Sequence, residues 1–293
     1  MQTTLSFRAN NVIGLSNEQI EEKEYLYKKV VADNNGNTLE EHYFSADESV
    51  EVSFFFEYND NGQLIGTLEK DEDNEIVENR TFAYNSDGLL SKEYIHYLDG
   101  TADEISYAYN EDLLLVSKVF VDSDGEKGNY HTFAYQNGKI ISEAEFDSSD
   151  KLLTSQSFTR DEQNRLVEEN IKTHDDPYRQ VYVYNDGELP FQRKRYNNKN
   201  QLVERISYTY NENGNYTEMK TEGTQGIDIT TFEYDENQNL VLQEERSTEG
   251  ELKSSISQSF DNENRILTSI YTGRASYNQA PPNYRIRNEY KNE

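Results

Sequence analysis

The sequence of 293 residues carries 56 acidic and 28 basic side chains, so its net charge at neutral pH is −28. This charge disfavours nucleic acid and anionic membranes as partners, because both repel an acidic surface, and it favours a basic partner. The chain has no cysteine, which excludes disulfide bonds, thiolate metal sites and a cysteine nucleophile.

The negative charge is concentrated in the first half of the chain. Residues 1–150 contain 10 basic and 32 acidic side chains, whereas residues 151–293 contain 18 and 24. Any electrostatic contact surface is therefore expected in the first half.

No apolar run approaches the ~20 residues of a membrane-spanning helix, and the first residues lack the apolar segment of a signal peptide. As written, the sequence predicts a cytoplasmic protein. A native protein with an export signal ahead of residue 1 would instead be secreted or held at the cell surface.

Residues 1–24 precede the repetitive part of the chain and are expected to form an N-terminal lead-in or cap. Within them the stretch LSNEQI predicts a short helix, with Ser16 as N-cap and Gln19 closing a capping box. Leu15 and Ile20 would form the hydrophobic staple. The alternative is an irregular lead-in to the strand that follows.

From residue 25 to residue 271 one template recurs about every 25 residues: two aromatics two apart, Asn or Asp, a turn with Gly, and an aliphatic residue. Clear copies are FEYNDNGQL (56–64), FAYNSDGLL (82–90) and YTYNENGNY (208–216). Such regularity predicts a tandem repeat architecture. The second aromatic of each copy defines an aromatic ladder: Tyr58, Tyr84, Tyr109, Tyr135, Tyr184, Tyr210 and Tyr234.

Each copy predicts a β-hairpin. Asn137-Gly138 suits a two-residue type I′ turn, which places Tyr135 opposite Ile140. The loop before Leu64 is one residue longer, and Gly62 in a left-handed conformation would close a bulged hairpin with Tyr58 opposite Leu64. By the same rule the other ladder tyrosines face Leu90, Leu115, Leu189, Tyr216 and Leu240. The second turn of each unit has a looser pattern.

The predicted fold is all-β, made of tandem antiparallel β-hairpins in one long sheet. Because neighbouring strands rotate by roughly −20 to −25°, we expect this sheet to be a twisted or superhelical ribbon. A β-propeller with two units in each blade is the alternative. Residues 272–293 break the turn spacing, contain Pro281-Pro282 and are expected to be a C-terminal cap with the last strand.

The recurring aromatic-x-Tyr-Asn/Asp-x-x-Gly-x-Leu unit resembles the YD repeats of bacterial Rhs and wall-associated polymorphic toxins, over roughly residues 25–290. In that family tandem hairpins form a spiralling sheet, which in full-length toxins encloses a C-terminal toxin domain. Several units have Tyr-Asn where the family has Tyr-Asp, and most lack its Gly-Arg-Leu ending. A weaker similarity is to MORN-variant antitoxin-like repeat proteins.

Acidic side chains around one turn form the first candidate binding site. Clustered carboxylates can steer a basic protein to its binding surface. The acidic patch consists of Glu69, Asp71, Glu72, Asp73, Glu75 and Glu78. A calcium loop is the alternative for such acidic turns, but the twelve-residue pattern with its closing Glu is absent.

The aromatic ladder is the second candidate. Stacked tyrosines could bind sugars or an extended peptide through ring area and hydroxyl groups. Their regularity favours a structural role, in which they pair with aliphatic residues across each hairpin.

No motif predicts catalysis, a metal site or a cofactor. The histidines His42, His96, His131 and His174 lie in different units without metal-ligand spacing. A carboxylate-based glycan-active enzyme would require a deep pocket with two converging acids. We therefore expect a non-enzymatic bacterial binding protein, in its sharpest form an immunity or antitoxin-like partner of a polymorphic toxin. The alternative is a cell-surface carbohydrate or matrix binder.

Overall fold

A computed structural model describes residues 1–274 and 282–292 of the chain. These residues form one helix, α1 (Asn17–Glu21), and 22 β-strands. The first eleven strands are β1 (Gln2–Asn10), β2 (Tyr25–Ala32), β3 (Thr38–Phe44), β4 (Val50–Tyr58), β5 (Leu64–Lys70), β6 (Ile76–Tyr84), β7 (Leu90–His96), β8 (Ala102–Tyr109), β9 (Leu115–Val121), β10 (Lys127–Gln136) and β11 (Lys139–Phe146). The others are β12 (Leu152–Arg160), β13 (Leu166–Lys172), β14 (Tyr178–Tyr184), β15 (Pro190–Asn197), β16 (Leu202–Tyr210), β17 (Tyr216–Gly223), β18 (Gly226–Tyr234), β19 (Leu240–Ser247), β20 (Leu252–Phe260), β21 (Ile266–Thr272) and β22 (Asn283–Asn292).

The prediction of an open superhelical sheet, and the alternative of a propeller, are both wrong. The 22 strands belong to one antiparallel sheet that is closed by β1, which pairs with β2 on one side and with β22 on the other. By its hydrogen bonding the fold is a closed β-barrel. An open sheet would leave the N–H and C=O groups of its two edge strands without partners, and β1 satisfies those of the first and the last hairpin strand.

The chain divides into two compact units. The first comprises residues 1–77, 209–220 and 227–293, and the second comprises residues 78–208 and 221–226. In the first unit β1 joins the antiparallel series β2 to β5 to the series β18 to β22. In the second unit the strands β6 to β16 form one antiparallel series, in which each strand up to β15 pairs with the next one along the chain.

One type of turn connects most of the hairpins. Its first residue accepts a backbone hydrogen bond from the fourth and donates one to the fifth: Asn59 accepts from Gly62 at 2.9 Å and donates to Gln63 at 3.0 Å. The fourth residue is left-handed, with φ of 75° at Gly62. The same turn begins at Asp33, Ser45, Asn59, Asp71, Asn85, Tyr97, Asn110, Asp122, Asp147, Asp161, Asn197, Asn211, Asp235, Ser247 and Asp261.

An Asp or Asn at the first position also holds the turn with its side chain. Oδ1 of Asn59 accepts hydrogen bonds from the backbone N–H groups of Asn61 and Gln63, both at 3.0 Å. Asp71 makes the equivalent bonds in the turn after β5. This local bonding is what Asp and Asn favour in turns. The second turn of each unit, whose residue pattern is looser, therefore has in most hairpins the same geometry as the first.

The N-terminal helix is confirmed as predicted. Ser16 caps α1, and both hydrogen bonds of the capping box with Gln19 are present. Ile20 is buried with Ala9 and Val12, and Leu15 packs against this cluster. The cluster fastens the helix to the end of β1.

The rest of the described chain has little core. Among the described residues, no large side chain is fully buried. Stability therefore depends on backbone hydrogen bonds and cross-strand side-chain pairs more than on a central apolar core. The middle of the expected C-terminal cap, residues 275–281, lies outside the described residues, and the described end of that segment is β22.

Candidate binding surfaces

The structure places the acidic patch in two different units. Five of its carboxylates lie on β5 or in the turn after it, in the first unit, whereas Glu78 lies on β6 in the second. Oδ1 of Asp71 is used inside the turn, as described above. Glu78 accepts a 2.6 Å hydrogen bond from Arg80, which lowers the pKa of that carboxyl group.

Three of the remaining members of the patch are free to meet a partner. Glu72, Asp73 and Glu75 are exposed at the tip of the turn, and their carboxylates accept no hydrogen bond from the described residues. Glu69 lies on β5 opposite Phe54, half-buried among strand residues. The predicted patch thus reduces to three exposed carboxylates on one turn.

Most ladder tyrosines have the predicted cross-strand partner. The register pairs Tyr58 with Leu64, and the corresponding pairs are Tyr84 with Leu90, Tyr109 with Leu115, Tyr135 with Ile140 and Tyr234 with Leu240. Tyr210 contacts the ring of Tyr216, with centroids 5.0 Å apart. Tyr184 is the exception: it pairs with Pro190, and Leu189 is 47% exposed.

The hydroxyl groups of the ladder tyrosines Tyr109 and Tyr184 donate hydrogen bonds to the main chain of neighbouring strands. Oη of Tyr109 donates to the carbonyl of Leu90 at 2.8 Å, and Oη of Tyr184 donates to the carbonyl of Leu166 at 2.7 Å. Burial raises the pKa of both phenols. These contacts favour the structural role of the ladder over ligand binding.

The ladder face of the second unit also carries a buried ionic network that the sequence analysis missed. Glu93, 7% exposed, accepts hydrogen bonds from Arg80 and, at 2.8 Å, from Tyr107. Burial raises the pKa of the Tyr107 phenol, and the Glu93 carboxylate adds to the effect. Glu93 lies opposite Phe82 on the ladder face. The period-2 alternation of the strands was the sequence feature that could have indicated this position.

A groove of about 510 Å³ opens on the same unit. Two rows of paired residues cross it: the first is Lys118, His131, Glu145 and Thr154, and the second is Phe133, Glu143, Gln156 and Ile171. The rings of His131 and Phe133 stack with centroids 6.5 Å apart. Sequence analysis did not single out these residues, apart from His131.

The described part of the chain contains no group of three or more His, Cys, Asp or Glu residues arranged to hold a metal ion. His42 contacts Ser53 at 2.8 Å and Glu40 at 3.1 Å, and His96 contacts Thr81 at 2.8 Å. These two histidines therefore belong to cross-strand polar contacts.

Comparison with known proteins gives distant structural similarity alone. No family model matches the chain, and no curated protein matches it. A crystal structure of TcdB2-TccC3 is 14% identical and covers 97% of this chain and 16% of its own, with a TM-score of 0.48. The structure of the Photorhabdus luminescens Tc holotoxin pore is 11% identical and covers 86% of this chain and 15% of its own, with a TM-score of 0.38. The crystal structure of a porin-like protein from Bacteroides uniformis is 10% identical and covers 99% of this chain and 97% of its own, with a TM-score of 0.33.

The chain therefore spans 16% and 15% of the two toxin-complex chains to which it is similar. Within the described residues there is no helix whose length and apolar character would let it span a membrane.

Proposed function

We propose that this chain is a non-enzymatic binding protein that attaches to a basic protein through the acidic tips of its hairpin turns. The observation that carries the proposal is the composition of the eight turn loops between residues 33 and 126, all of them described, each of which contains an acidic residue and no Lys or Arg. Exposed carboxylates that accept no hydrogen bond lie in or beside these loops: Glu48, Asp60, Glu72, Asp73, Glu75, Asp87, Glu111, Asp112, Asp124 and Glu126.

The spacing of the tips reinforces their effect within a unit. Neighbouring hairpins of an antiparallel sheet lie about 10 Å apart, because each strand adds about 4.8 Å. That distance is close to the Debye length of about 8 Å at physiological salt, so the potentials of adjacent tips overlap. Asp87 and the pair Glu111 and Asp112 occupy successive tips of this kind in the second unit. Such a row can steer and hold an extended basic surface.

The hydrogen bonds of the turns distinguish carboxylates that stabilise the fold from carboxylates that are free to contact a partner. Asp71 and Asp122 hold their own turns through Oδ1, and so they serve the fold. Glu72 and Asp73 lie at the tip of the Asp71 turn, and their side chains make none of its hydrogen bonds. They can therefore be changed while the side-chain hydrogen bonds of the turn are kept. The electrostatic contribution can therefore be tested apart from folding.

The test compares two triple charge reversals in the full chain. Glu72→Lys/Asp73→Lys/Glu75→Lys changes the acidic tip of the first half, and Glu236→Lys/Glu249→Lys/Glu251→Lys makes the same charge change at exposed turn residues of the second half. A twenty-residue lysine peptide serves as the basic probe, titrated by calorimetry at 50 and 300 mM NaCl. We expect the first variant to bind at least tenfold more weakly and the second to stay within threefold of the wild type.

Circular dichroism of both variants checks that the fold is intact. Equal weakening by the two reversals would show an effect of net charge alone and would overturn the assignment of the contact to the first half. Unchanged affinity of both variants would refute the electrostatic part of the proposal.

In its sharpest form, the basic partner is a toxin domain and the chain acts as its immunity or antitoxin-like protein. The support is the resemblance of its hairpin unit to YD repeats, carried by residues 56–64, 82–90 and 208–216. Co-expression with a basic toxin domain encoded beside the native gene is expected to restore growth, and the first charge reversal to abolish that protection. If the wild-type chain does not restore growth, this form of the proposal is wrong.

A further inference from the structure

The groove on the second unit contains polar side chains that the protein itself leaves without partners. The carboxylate of Glu143, the amide of Gln156 and the imidazole of His131 line the groove and make no hydrogen bond within the described chain. All three are half-buried, and Glu143 lies directly opposite both Phe133 and Gln156 on neighbouring strands. A half-buried polar group without a partner in the chain can hydrogen-bond a ligand that enters the groove.

The repeats provide an internal comparison for Glu143. A Phe faces a Glu across the hairpin at three equivalent places: Phe82 with Glu93, Phe133 with Glu143, and Phe158 with Glu169. Glu93 is bonded to Arg80 and Tyr107, and Glu169 accepts a 3.1 Å hydrogen bond from Gln180. Glu143 alone of the three has no partner, and it alone lines the groove. The fold thus satisfies this carboxylate wherever no cavity is present.

The chemistry of the groove fits an uncharged polyhydroxylated ligand. Glu143 and Glu145 accept hydrogen bonds, Lys118 donates them, and Gln156 and His131 can do both. The two carboxylates repel an anionic ligand, and the ammonium group of Lys118 repels a positively charged group placed beside it. Sugar hydroxyls both donate and accept, and the C–H face of a pyranose packs on an aromatic ring such as that of Phe133.

The size of the groove agrees with this class of ligand. Its volume of about 510 Å³ lies within the roughly 300–1,000 Å³ typical of small-molecule sites. Ile171 and Phe133 supply apolar surface at the two ends of one row, and the polar groups lie between them. We infer that this groove binds a neutral disaccharide, with Phe133 as the stacking surface and Glu143 as the principal hydrogen-bond acceptor. The site is independent of the acidic turn tips.

The experiment uses the full chain and four probes: maltose, cellobiose, lactose and N,N′-diacetylchitobiose. Saturation-transfer difference NMR at 10 mM detects binding, and calorimetry gives the affinity. We expect at least one probe to bind, and Phe133→Ala and Glu143→Ala each to weaken it at least tenfold. Matched controls at the equivalent positions of other hairpins, Phe232→Ala and Glu169→Ala, should bind within twofold of the wild type.

Charged probes test the assignment of ligand class. Glucosamine and glucuronate should each bind more weakly than glucose, and tighter binding of either would overturn the inference. Absence of binding by all four disaccharides would also overturn it, as would equal losses in the groove variants and their controls. Thermal unfolding followed by circular dichroism ensures that each variant is folded, and Glu143→Gln provides a milder substitution if Glu143→Ala does not fold.

Discussion

The hydroxyl of Tyr109 on β8 donates a 2.8 Å hydrogen bond to the main-chain carbonyl of Leu90 on β7. Leu90 is the cross-strand partner of Tyr84, the preceding tyrosine of the ladder. Tyr184 reaches Leu166 in the same way, and Tyr290 of β22 reaches Ile266. In each of these described contacts a tyrosine hydroxyl links a strand to the hairpin before it.

Removal of one such hydroxyl should measurably destabilise the fold. Tyr109→Phe keeps the ring and loses the hydrogen bond to Leu90, and we expect the free energy of unfolding to fall by about 1 kcal/mol. Tyr135→Phe is the matched control, because the hydroxyl of Tyr135 makes no hydrogen bond within the described chain, and it should change stability by less than about 0.5 kcal/mol. Urea denaturation measures both. Equal effects would contradict the structural role of the Tyr109 hydroxyl.

Closure of the sheet in the first unit includes a buried ion cluster around Glu24. Its carboxylate accepts 2.8 Å hydrogen bonds from Arg285 and Arg287 of β22, and the side chains of Glu24 and Arg285 are 6% and 7% exposed. Glu24→Ala would leave Arg285 buried without a counter-charge, and we expect a loss of about 3–5 kcal/mol. Glu289→Gln, which removes the more exposed partner of Arg287, should cost less than about 1 kcal/mol. Denaturant unfolding distinguishes them, and similar small losses would show that the Glu24 cluster does not secure the closure.

The hairpins could be predicted from sequence because their determinants are local. Alternation fixes the face of each strand residue, and Gly62 and Asn137-Gly138 fix the loop geometry, so the partners of Tyr58 and Tyr135 followed directly. The prediction for Tyr184 was wrong because it assumed the five-residue spacing that joins Tyr135 to Ile140. The structure has the six-residue spacing of Tyr58 and Leu64, which brings Pro190 opposite Tyr184.

Closure of the sheet could not be predicted, since it depends on contacts between the two ends of the chain. β1 has no turn motif and resembles a lead-in, yet Thr3 pairs with Val31 on one side and with Lys291 on the other. The groove was missed for a related reason. Glu143 differs from Glu93 and Glu169 only in what the neighbouring strands bring near it, and the repeat pattern treats all three alike.

The side chain at the first turn position should contribute more to stability than the residues at the tip. Oδ1 of Asn85 accepts hydrogen bonds from the N–H groups of Asp87 and Leu89, at 3.0 and 2.9 Å. Asn85→Ala removes both bonds, and we expect a loss of about 1–2 kcal/mol. Asn85→Asp should retain both acceptor bonds, as in the turns that begin with Asp. Ser86→Ala at the exposed tip is the control, with no measurable change expected in urea denaturation. A comparable loss in Ser86→Ala would contradict this account.

The Asp residues that begin turns should make stability depend on acidic pH. Their folded pKa values are lowered because the carboxylates accept hydrogen bonds: the side chain of Asn37 for Asp33, and that of Asn239 for Asp235. In the turn that begins at Ser45, the hydroxyl groups of Ser45 and Ser49 lower the pKa of Asp47 to about 2. A carboxyl whose pKa is lower in the folded chain stabilises it fully above the unfolded value of 3.8, and this contribution is lost as the pH falls towards the folded value.

We therefore expect the urea midpoint to be constant from pH 7 to about pH 5 and to fall between about pH 4 and pH 2. Asp33→Asn/Asp235→Asn should reduce that fall while leaving the midpoint at pH 7 nearly unchanged, because Asn59 forms the same turn with a side chain that does not titrate. Asp60→Asn changes a tip carboxylate that accepts no hydrogen bond, and it should retain the wild-type pH dependence. If the double variant loses stability below pH 4 as steeply as the wild type, the turn carboxylates are not the groups whose protonation weakens the fold.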